Sequence, residues 1–227
     1  TQCQAAAVYT TNKGKGAPIQ VTKAHLEASG HTAKAVIANS KNANTCNADG
    51  VEKAQRMCEL AAAELSIDPN EVIVASTGVI GQVLPIEPIE SHIQELAKGL
   101  SADGNDKAVN AIMTTDTVKK EVAVQIEIGG KTVTVGGMCK GSGMIHPNMC
   151  TMLGFVTTDA AISKEMLQKA LSANIKDTFN MVSVDGDTST NDTVLLLANG
   201  MAGNPEITEE GADFDKFMEA LNYINTC

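Results

Sequence analysis

Aromatic residues and arginine are scarce in this sequence. Aromatic residues make up 3% of the 227 residues, tryptophan is absent, and Arg56 is the only arginine. Lysine and arginine together number 17 against 27 aspartate and glutamate residues, so the formal net charge is −10. Phosphate-rich surfaces are bound by clustered basic residues, and bidentate phosphate recognition uses arginine. The composition therefore argues against nucleic acid and against an anionic membrane as partners.

Long apolar runs and closely paired cysteines are also missing. No apolar run approaches the roughly 20 residues of a membrane helix, and the N-terminal residues lack the basic and apolar regions of a signal peptide. The six cysteines are irregularly spaced without a CxxC pair, which argues against a disulfide scaffold or a cysteine zinc site. We expect a soluble, cytoplasmic protein with reduced thiols and no membrane association.

Strands and helices are predicted along the whole chain. Short apolar runs between polar loops indicate buried strands at 4–9, 34–38, 71–77, 152–158, 179–184 and 193–198. Helical spacing predicts a helix capped by Asp49 with Val51 on its apolar face, and others over 88–99 (Ile89, Ile93 and Leu96 on one face), 105–112, a segment opening near Asp159, and 212–225. Residues 12–18 are predicted to be a loop. Alternating segments on both sides of Gly129-Gly130 predict a hairpin. This mixture favours an α+β layered sandwich over a doubly wound parallel sheet.

Residues 138–160 form the densest unusual segment. They combine a glycine-rich turn, Lys140, His146, a proline and Thr151 directly before a predicted buried strand. A loop that merely connects two strands is one interpretation. Such loops are usually shorter and more polar, so a functional segment is the alternative.

Six motifs, in the same order along the chain, resemble the bifunctional glutamate N-acetyltransferase/ornithine acetyltransferase (ArgJ) family of the cyclic arginine pathway. They are SKNANTC (40–46), ASTGVIG (75–81), MTTDT (113–117), KGSGMIHPNM (140–149), TML (151–153) and TTD (157–159). The resemblance implies a layered α/β/β/α sandwich with mixed sheets, of the DmpA/ArgJ type. It implies transfer of an acetyl group from N2-acetylornithine to glutamate without a metal or organic cofactor. Whether acetyl-CoA also serves as an acetyl donor stays open.

The resemblance also implies self-cleavage between Cys150 and Thr151. Residues 1–150 would then be the α-chain portion of the precursor, and residues 151–227 the start of a β-chain that is incomplete at its C-terminus. The two chains would pair and assemble into a heterotetramer or a larger oligomer. The family usually has alanine where this chain has Cys150, and the small cysteine side chain is compatible with the cleavage geometry.

The chemistry of an N-terminal threonine gives Thr151 an independent rationale as nucleophile. A threonine hydroxyl needs an adjacent base, and an N-terminal threonine supplies one in its own α-amine, whose pKa is about 7.7–8.0. Before cleavage that nitrogen is an amide and accepts no proton. We expect the Thr151 hydroxyl to attack the Cys150 carbonyl, followed by an N-to-O acyl shift and ester hydrolysis. Cleavage would thus both mature and activate the protein.

Three other positions complete the predicted site. Acyl transfer needs donors that face the oxyanion of the tetrahedral intermediate. The turn after the 71–77 strand offers the Thr77 hydroxyl and the Gly78 backbone N–H, to which the resemblance assigns this role. It assigns substrate contacts to Lys140 and Thr114, together with Thr151. A lysine in this position suits the α-carboxylate that acetylornithine and glutamate share.

The polar residues and the motifs also allow other interpretations. Cys150 with His146 as base is an alternative nucleophile, but no third orienting residue accompanies that pair. A self-processing N-terminal-nucleophile amidohydrolase or aminopeptidase, and an inactive truncated fragment, are alternative functions. The acidic cluster Asp185, Asp187 and Asp192 lacks EF-hand spacing and is interpreted as a solvated loop. The scattered histidines are interpreted as surface residues: His25, His31 and His92.

Overall fold

The computed structural model describes residues 1–144 and 152–227, which form two β-sheets covered by helices. The strands are β1 (Cys3–Tyr9), β2 (Thr32–Ala33), β3 (Ala35–Asn39), β4 (Val72–Ser76), β5 (Lys120–Ile128), β6 (Lys131–Lys140), β7 (Leu153–Thr158) and β8 (Thr193–Ala198). The α-helices are α1 (Ala17–Ala28), α2 (Gly50–Leu65), α3 (Glu87–Lys98), α4 (Asn105–Ile112), α5 (Lys164–Asn174) and α6 (Ala212–Thr226). Short 3-10 helices lie at Pro69–Glu71, Ile175–Asp177 and Phe179–Met181. No helix within these two ranges is long and apolar enough to cross a membrane.

The larger sheet is mixed, and its topology brings four strand ends to one edge. Its order is β2-β1-β8-β7-β6-β5. The β7 and β8 strands are parallel, so both begin at the same edge, where Leu153 pairs with Thr193. The neighbouring strands β6 and β1 run antiparallel to them and end there, with Lys140 opposite Leu153 and Tyr9 opposite Thr193. The smaller sheet consists of β3 and β4 in parallel.

Three apolar clusters show that the two sheets and the helices form four layers. One face of the large sheet packs against α5 and α6, with the buried residues Val156, Val194, Leu196, Leu167, Leu171, Phe217 and Leu221. Its opposite face packs against β4 and α1, with Leu153, Phe155, Leu195, Ile73, Ala75 and Leu26. The other face of β4 packs against α2, with Val72, Val74, Met57 and Cys58. The α+β class and the α/β/β/α layering implied by the resemblance are confirmed.

The predicted hairpin is confirmed in its register and turn. Ile128 pairs with Lys131 across the turn. Gly129 and Gly130 have φ values of 54° and 74°. Positive φ at both central residues is the property of the two-residue turn that matches strand twist, and glycine adopts it without steric cost.

Helix α1 was not predicted, because two polar residues interrupt its apolar face. Thr22 is buried, and its hydroxyl donates to the Val74 carbonyl at 2.7 Å. His25 is also buried, with its ring nitrogens 2.8 Å from the Val72 carbonyl and 2.8 Å from Gln55 Oε1. The surface interpretation of His25 is therefore wrong, whereas His31 and His92 are exposed as expected.

Three further sequence expectations differ from the structure. The predicted strand 179–184 is instead a 3-10 helix followed by irregular chain, because Phe179 turns into the core while Met181 and Val184 stay exposed. Helix α5 begins at Lys164, later than the predicted start near Asp159, and Ser163 caps it with a hydroxyl that accepts the Met166 N–H. Two residues assigned to apolar helix faces, Val51 and Leu96, are exposed.

Candidate active site

Two of the predicted site residues meet where the two sheets face each other. Thr77 directly follows β4 in the smaller sheet, and Lys140 is the last residue of β6 in the larger sheet. Both are 3% exposed, and Lys140 Nζ donates to Thr77 Oγ1 at 3.2 Å. Residues 63 positions apart in the chain therefore form one buried polar contact. It lies at the edge where β7 begins.

The backbone around Gly78 forms a turn that only glycine fits. The N–H groups of its neighbours donate to the 39–41 segment, Thr77 to Asn39 and Val79 to Lys41, each at 3.0 Å. Gly78 lies between them with φ at +131°, and a Cβ there would overlap the Lys41 backbone. The Gly78 N–H donates no hydrogen bond to any of the described residues. This N–H is the backbone donor to which the resemblance assigns the oxyanion.

The SKNANTC segment (40–46) packs against this turn through the Lys41 backbone. Lys41, Asn44 and Cys46 all have positive φ, at 80°, 50° and 62°. Such conformations cost energy in non-glycine residues and persist when the surroundings determine them. Here the surroundings include Asn191, a residue that no sequence pattern assigned to the site.

The buried amide of Asn191 joins this loop to the turn that contains Gly78. Its Nδ2 donates to the Ala43 carbonyl at 2.6 Å and to the Ser76 carbonyl at 2.9 Å. Its Oδ1 accepts from the hydroxyls of Thr45 at 2.5 Å and Thr190 at 2.7 Å. The residue before Thr77 is thus fixed by a side chain that precedes β8.

Asp192, the residue after Asn191, is also buried, which its sequence pattern did not indicate. The interpretation of the acidic cluster as a solvated loop holds for Asp185 and Asp187, which are exposed, but is wrong for Asp192, which is 1% exposed. Its Oδ1 accepts the Met152 N–H at 3.0 Å. Burial raises the pKa of this carboxyl to about 7, against opposing contributions that include the Met152 N–H and the charge of Lys140. The apolar run directly after Asp192 was the one signal that it precedes a central strand.

Burial also lowers the pKa of the Lys140 ammonium, opposed by the negative charges of Asp116 and Asp192. The Asp116 side chain is buried: its Oδ1 accepts from the Gly141 N–H at 2.8 Å and from Lys120 Nζ at 2.9 Å. Lysine and two carboxylates from three chain segments therefore share one buried, charged environment. In the two described ranges, no group of three His, Cys, Asp or Glu side chains is placed to hold a metal ion.

Of the other predicted site residues, the structure describes Thr114 but not Thr151, Cys150 or His146. Thr114 follows α4 and is exposed, and its N–H donates to Asp116 Oδ2 at 3.4 Å. It is thereby connected through Asp116 to Gly141, next to Lys140, without a direct contact to Lys140 among the hydrogen bonds of the described residues. Thr151, Cys150 and His146 lie outside the described residues, so their assigned roles stay predictions.

Replacing Gly78 with alanine is expected to lower the free energy of unfolding by more than about 2 kcal/mol, because a left-handed φ and a backbone clash combine. Gly30 is a matched control, since its φ is +69° and a Cβ there meets nothing within 4 Å. Gly30→Ala should cost only the backbone term, about 1–2 kcal/mol. Urea unfolding of both variants measures the difference. Equal losses would contradict the tight contact with Lys41.

Comparisons with known proteins identify the family of this chain. The model of the ArgJ family matches residues 1–227. The Clostridium acetobutylicum arginine biosynthesis bifunctional protein ArgJ 1 is 50% identical over 224 residues, which are 98% of this chain and 54% of that protein. The chain thus spans about half the length of the curated relatives it matches.

Two solved structures are similar in fold and sequence. The Bacillus halodurans arginine biosynthesis bifunctional protein ArgJ aligns with a TM-score of 0.59 and 40% identity, covering 67% of this chain and 78% of that one. Ornithine acetyltransferase from Mycobacterium tuberculosis, in complex with ornithine, aligns with a TM-score of 0.56 and 33% identity, covering 65% and 77%. With the family model matched from the first residue to the last, the chain belongs to the ArgJ family.

Proposed function

We propose that the full-length protein is a self-cleaving acetyltransferase that moves an acetyl group from N2-acetylornithine to glutamate. Cleavage between Cys150 and Thr151 would divide it into an α-chain ending at residue 150 and a β-chain beginning at residue 151. The observation that carries the proposal is the buried contact of Lys140 Nζ with Thr77 Oγ1 beside the first residues of β7. It joins two residues that the resemblance assigns to the site from separate motifs, at the sheet edge where β7 begins shortly after the predicted nucleophile Thr151.

The first half-reaction is the acetylation of Thr151. Its α-amine takes the hydroxyl proton while Oγ attacks the acetyl carbonyl of acetylornithine. The resulting oxyanion is stabilised by the Thr77 hydroxyl and the Gly78 N–H. When the intermediate collapses, the C–N bond breaks, the proton passes to the departing nitrogen, and ornithine leaves an acetyl ester on Thr151.

The second half-reaction reverses these steps with glutamate. Its amine attacks the ester, the same donors stabilise the oxyanion, and the threonine hydroxyl is regenerated as acetylglutamate leaves. Lys140 keeps the Thr77 hydroxyl oriented and places a positive charge at the pocket. The α-carbon portion common to ornithine and glutamate allows one site to serve both, in agreement with the ornithine found in the Mycobacterium tuberculosis relative.

The test is an acetyl-transfer assay on the purified full-length protein. N2-acetylornithine is supplied with and without glutamate, and acetylglutamate, acetate and ornithine are quantified by mass spectrometry. We expect acetylglutamate that depends on glutamate, with the parallel double-reciprocal plots of a ping-pong mechanism. Acetate release that is independent of glutamate would instead identify an amidohydrolase.

Intact mass spectrometry tests the self-cleavage in the same sample. We expect two species whose masses sum to that of the whole chain plus one water, the N-terminal species ending at Cys150. A single uncut mass together with absent activity would contradict the proposal and identify a folded but inactive unit.

A further inference from the structure

The peptide group between Ser76 and Thr77 is held by hydrogen bonds on both sides. The Ser76 carbonyl accepts from Asn191 Nδ2 at 2.9 Å. On the other side, the Thr77 N–H donates to the Asn39 carbonyl at 3.0 Å. Because a peptide group is planar, fixing its carbonyl and its N–H also fixes the direction in which the chain enters Thr77. The Thr77 hydroxyl and the Gly78 N–H follow directly, so the direction of both assigned oxyanion donors depends on Asn191.

The amide of Asn191 is itself held in one orientation. Its Oδ1 accepts from the hydroxyls of Thr45 and Thr190, while Nδ2 donates to two backbone carbonyls. The residue is 6% exposed, and a Cβ at Gly16 would overlap its side chain, so the amide has little room to move. An amide rotated by half a turn would place its oxygen against the two carbonyls, which also are acceptors. The NH2 group therefore serves the turn in one fixed direction.

Asn191 lies in a different part of the chain from the turn that it holds. It precedes β8 in the larger sheet, whereas Ser76 ends β4 in the smaller sheet. Their hydrogen bond thus connects the two sheets at the site. After the proposed cut, Asn191 would belong to the β-chain and Ser76 to the α-chain. One chain would then hold the oxyanion donors of the other in place.

We propose that Asn191 is a positioning residue for acetyl transfer, which directs the Thr77 hydroxyl and the Gly78 N–H towards the oxyanion. The inference rests on the proposed function, because it concerns the donors of that reaction. In this role Asn191 acts through the Ser76 carbonyl and not by touching the substrate. Oxyanion donors are effective when they are fixed before the charge develops, and a displacement of about 1 Å can cost about 10²-fold in rate. Loss of the NH2 donor should slow both half-reactions, because both use the same two donors.

The substitution Asn191→Asp in the full-length protein tests this role. It keeps the size and the accepting oxygen of the side chain but replaces the NH2 donor. In the acetylornithine and glutamate assay we expect kcat, per cut chain counted by intact mass spectrometry, to fall by about 10–10²-fold. Both KM values should stay within about twofold of the wild type, because the two half-reactions slow by the same factor. A role in substrate binding would instead raise KM.

Asn204→Asp is the matched control. Asn204 is also 6% exposed, and its amide donates to two backbone carbonyls, those of Ala161 and Pro205, while Oδ1 accepts the Ala161 N–H. It follows the last residue of β8, at the sheet edge opposite the site. Both variants should lower the unfolding midpoint to a similar extent, because each loses the same kind of buried donor. Only Asn191→Asp should lower kcat.

Two substitutions of Thr45 test the same support if Asn191→Asp does not fold. Thr45→Val keeps the shape of the side chain and removes the hydroxyl that donates to Asn191 Oδ1. It should lower kcat by about 3–10-fold at unchanged KM, since one of the hydrogen bonds that orient the amide is lost. Thr45→Ser restores the hydroxyl and should return kcat towards the wild-type value.

The outcomes separate this inference from the proposed function. If the wild type is active and Asn191→Asp has the wild-type kcat, or a changed KM alone, the positioning role is overturned and the acetyltransferase stands. Equal falls in kcat for Asn191→Asp and Asn204→Asp, or for Thr45→Val and Thr45→Ser, assign Asn191 to the fold and also overturn it. A folded but uncut Asn191→Asp protein assigns the residue to maturation, with the same result. A wild type without glutamate-dependent transfer overturns the proposed function first and this inference with it.

Discussion

Replacing Thr151 with alanine is expected to leave the full-length protein uncut and to lower acetyl transfer by at least about 10⁴-fold, because both reactions use the same hydroxyl. Removing the nucleophile of a covalent mechanism abolishes the acyl intermediate itself. Intact mass spectrometry reports the cleavage, and the acetylornithine assay reports the transfer.

Two further variants show whether the effect depends on the hydroxyl of residue 151. Thr151→Ser keeps a hydroxyl on an N-terminal residue and should retain cleavage and measurable transfer. Thr157, an exposed threonine on β7, is the matched control, and Thr157→Ala should behave as the wild type in both assays. Full transfer by an uncut Thr151→Ala protein would falsify the assignment of Thr151 as the nucleophile and would favour the alternative nucleophile Cys150.

Replacing Lys140 with methionine is expected to lower kcat/KM by about 10²–10³-fold, the usual effect of removing an oxyanion-hole contact. The change removes the donor to Thr77 Oγ1 and the positive charge at the pocket while keeping the length of the side chain. Burial already disfavours the charged form of Lys140. The change also removes the positive charge from a buried group that contains the carboxyls of Asp116 and Asp192, so the unfolding midpoint is expected to fall, and the kinetics are measured at a temperature at which the variant is folded.

Lys131 provides the control at the opposite end of the same strand. It is exposed in β6, and Lys131→Met should leave both kinetics and stability unchanged. Separate determination of kcat and KM distinguishes two roles of Lys140. A fall in kcat is expected from its contact with Thr77, whereas a rise in KM alone would show that Lys140 binds the substrate carboxylate and leaves Thr77 unaffected.

Local patterns predicted the elements around the site better than the burial of its polar residues. The runs that became β4, β6, β7 and β8 were predicted because apolar alternation and glycine turns are local properties. Asp192 and Asn191 were not recognised, because their burial depends on neighbours from β1, β4 and β7 that are distant in sequence. A residue type indicates what a side chain can do, but only the topology decides which groups surround it.

In helix α1, too, the burial of polar residues depends on neighbours that are distant in sequence. His25 was interpreted as a surface residue, yet it is buried beside the Val72 carbonyl, and the polar Thr22 is buried beside the Val74 carbonyl. Conversely, the apolar spacing at 179–184 resembled a strand, although both sides of β8 are already occupied by β1 and β7. The motifs predicted that Thr77 and Lys140 share a site, but not that they touch.

Because of the strand order, a cut before Thr151 would leave the strands of both pieces paired in one sheet. In the order β2-β1-β8-β7-β6-β5, the two central strands β8 and β7 follow residue 151, and the strands on both sides of them precede residue 150. A cut between Cys150 and Thr151 would therefore yield two interlocked pieces, each completing the sheet of the other. They should elute as one particle in native chromatography and separate only in denaturant, as a naturally split protein whose halves are inseparable while folded.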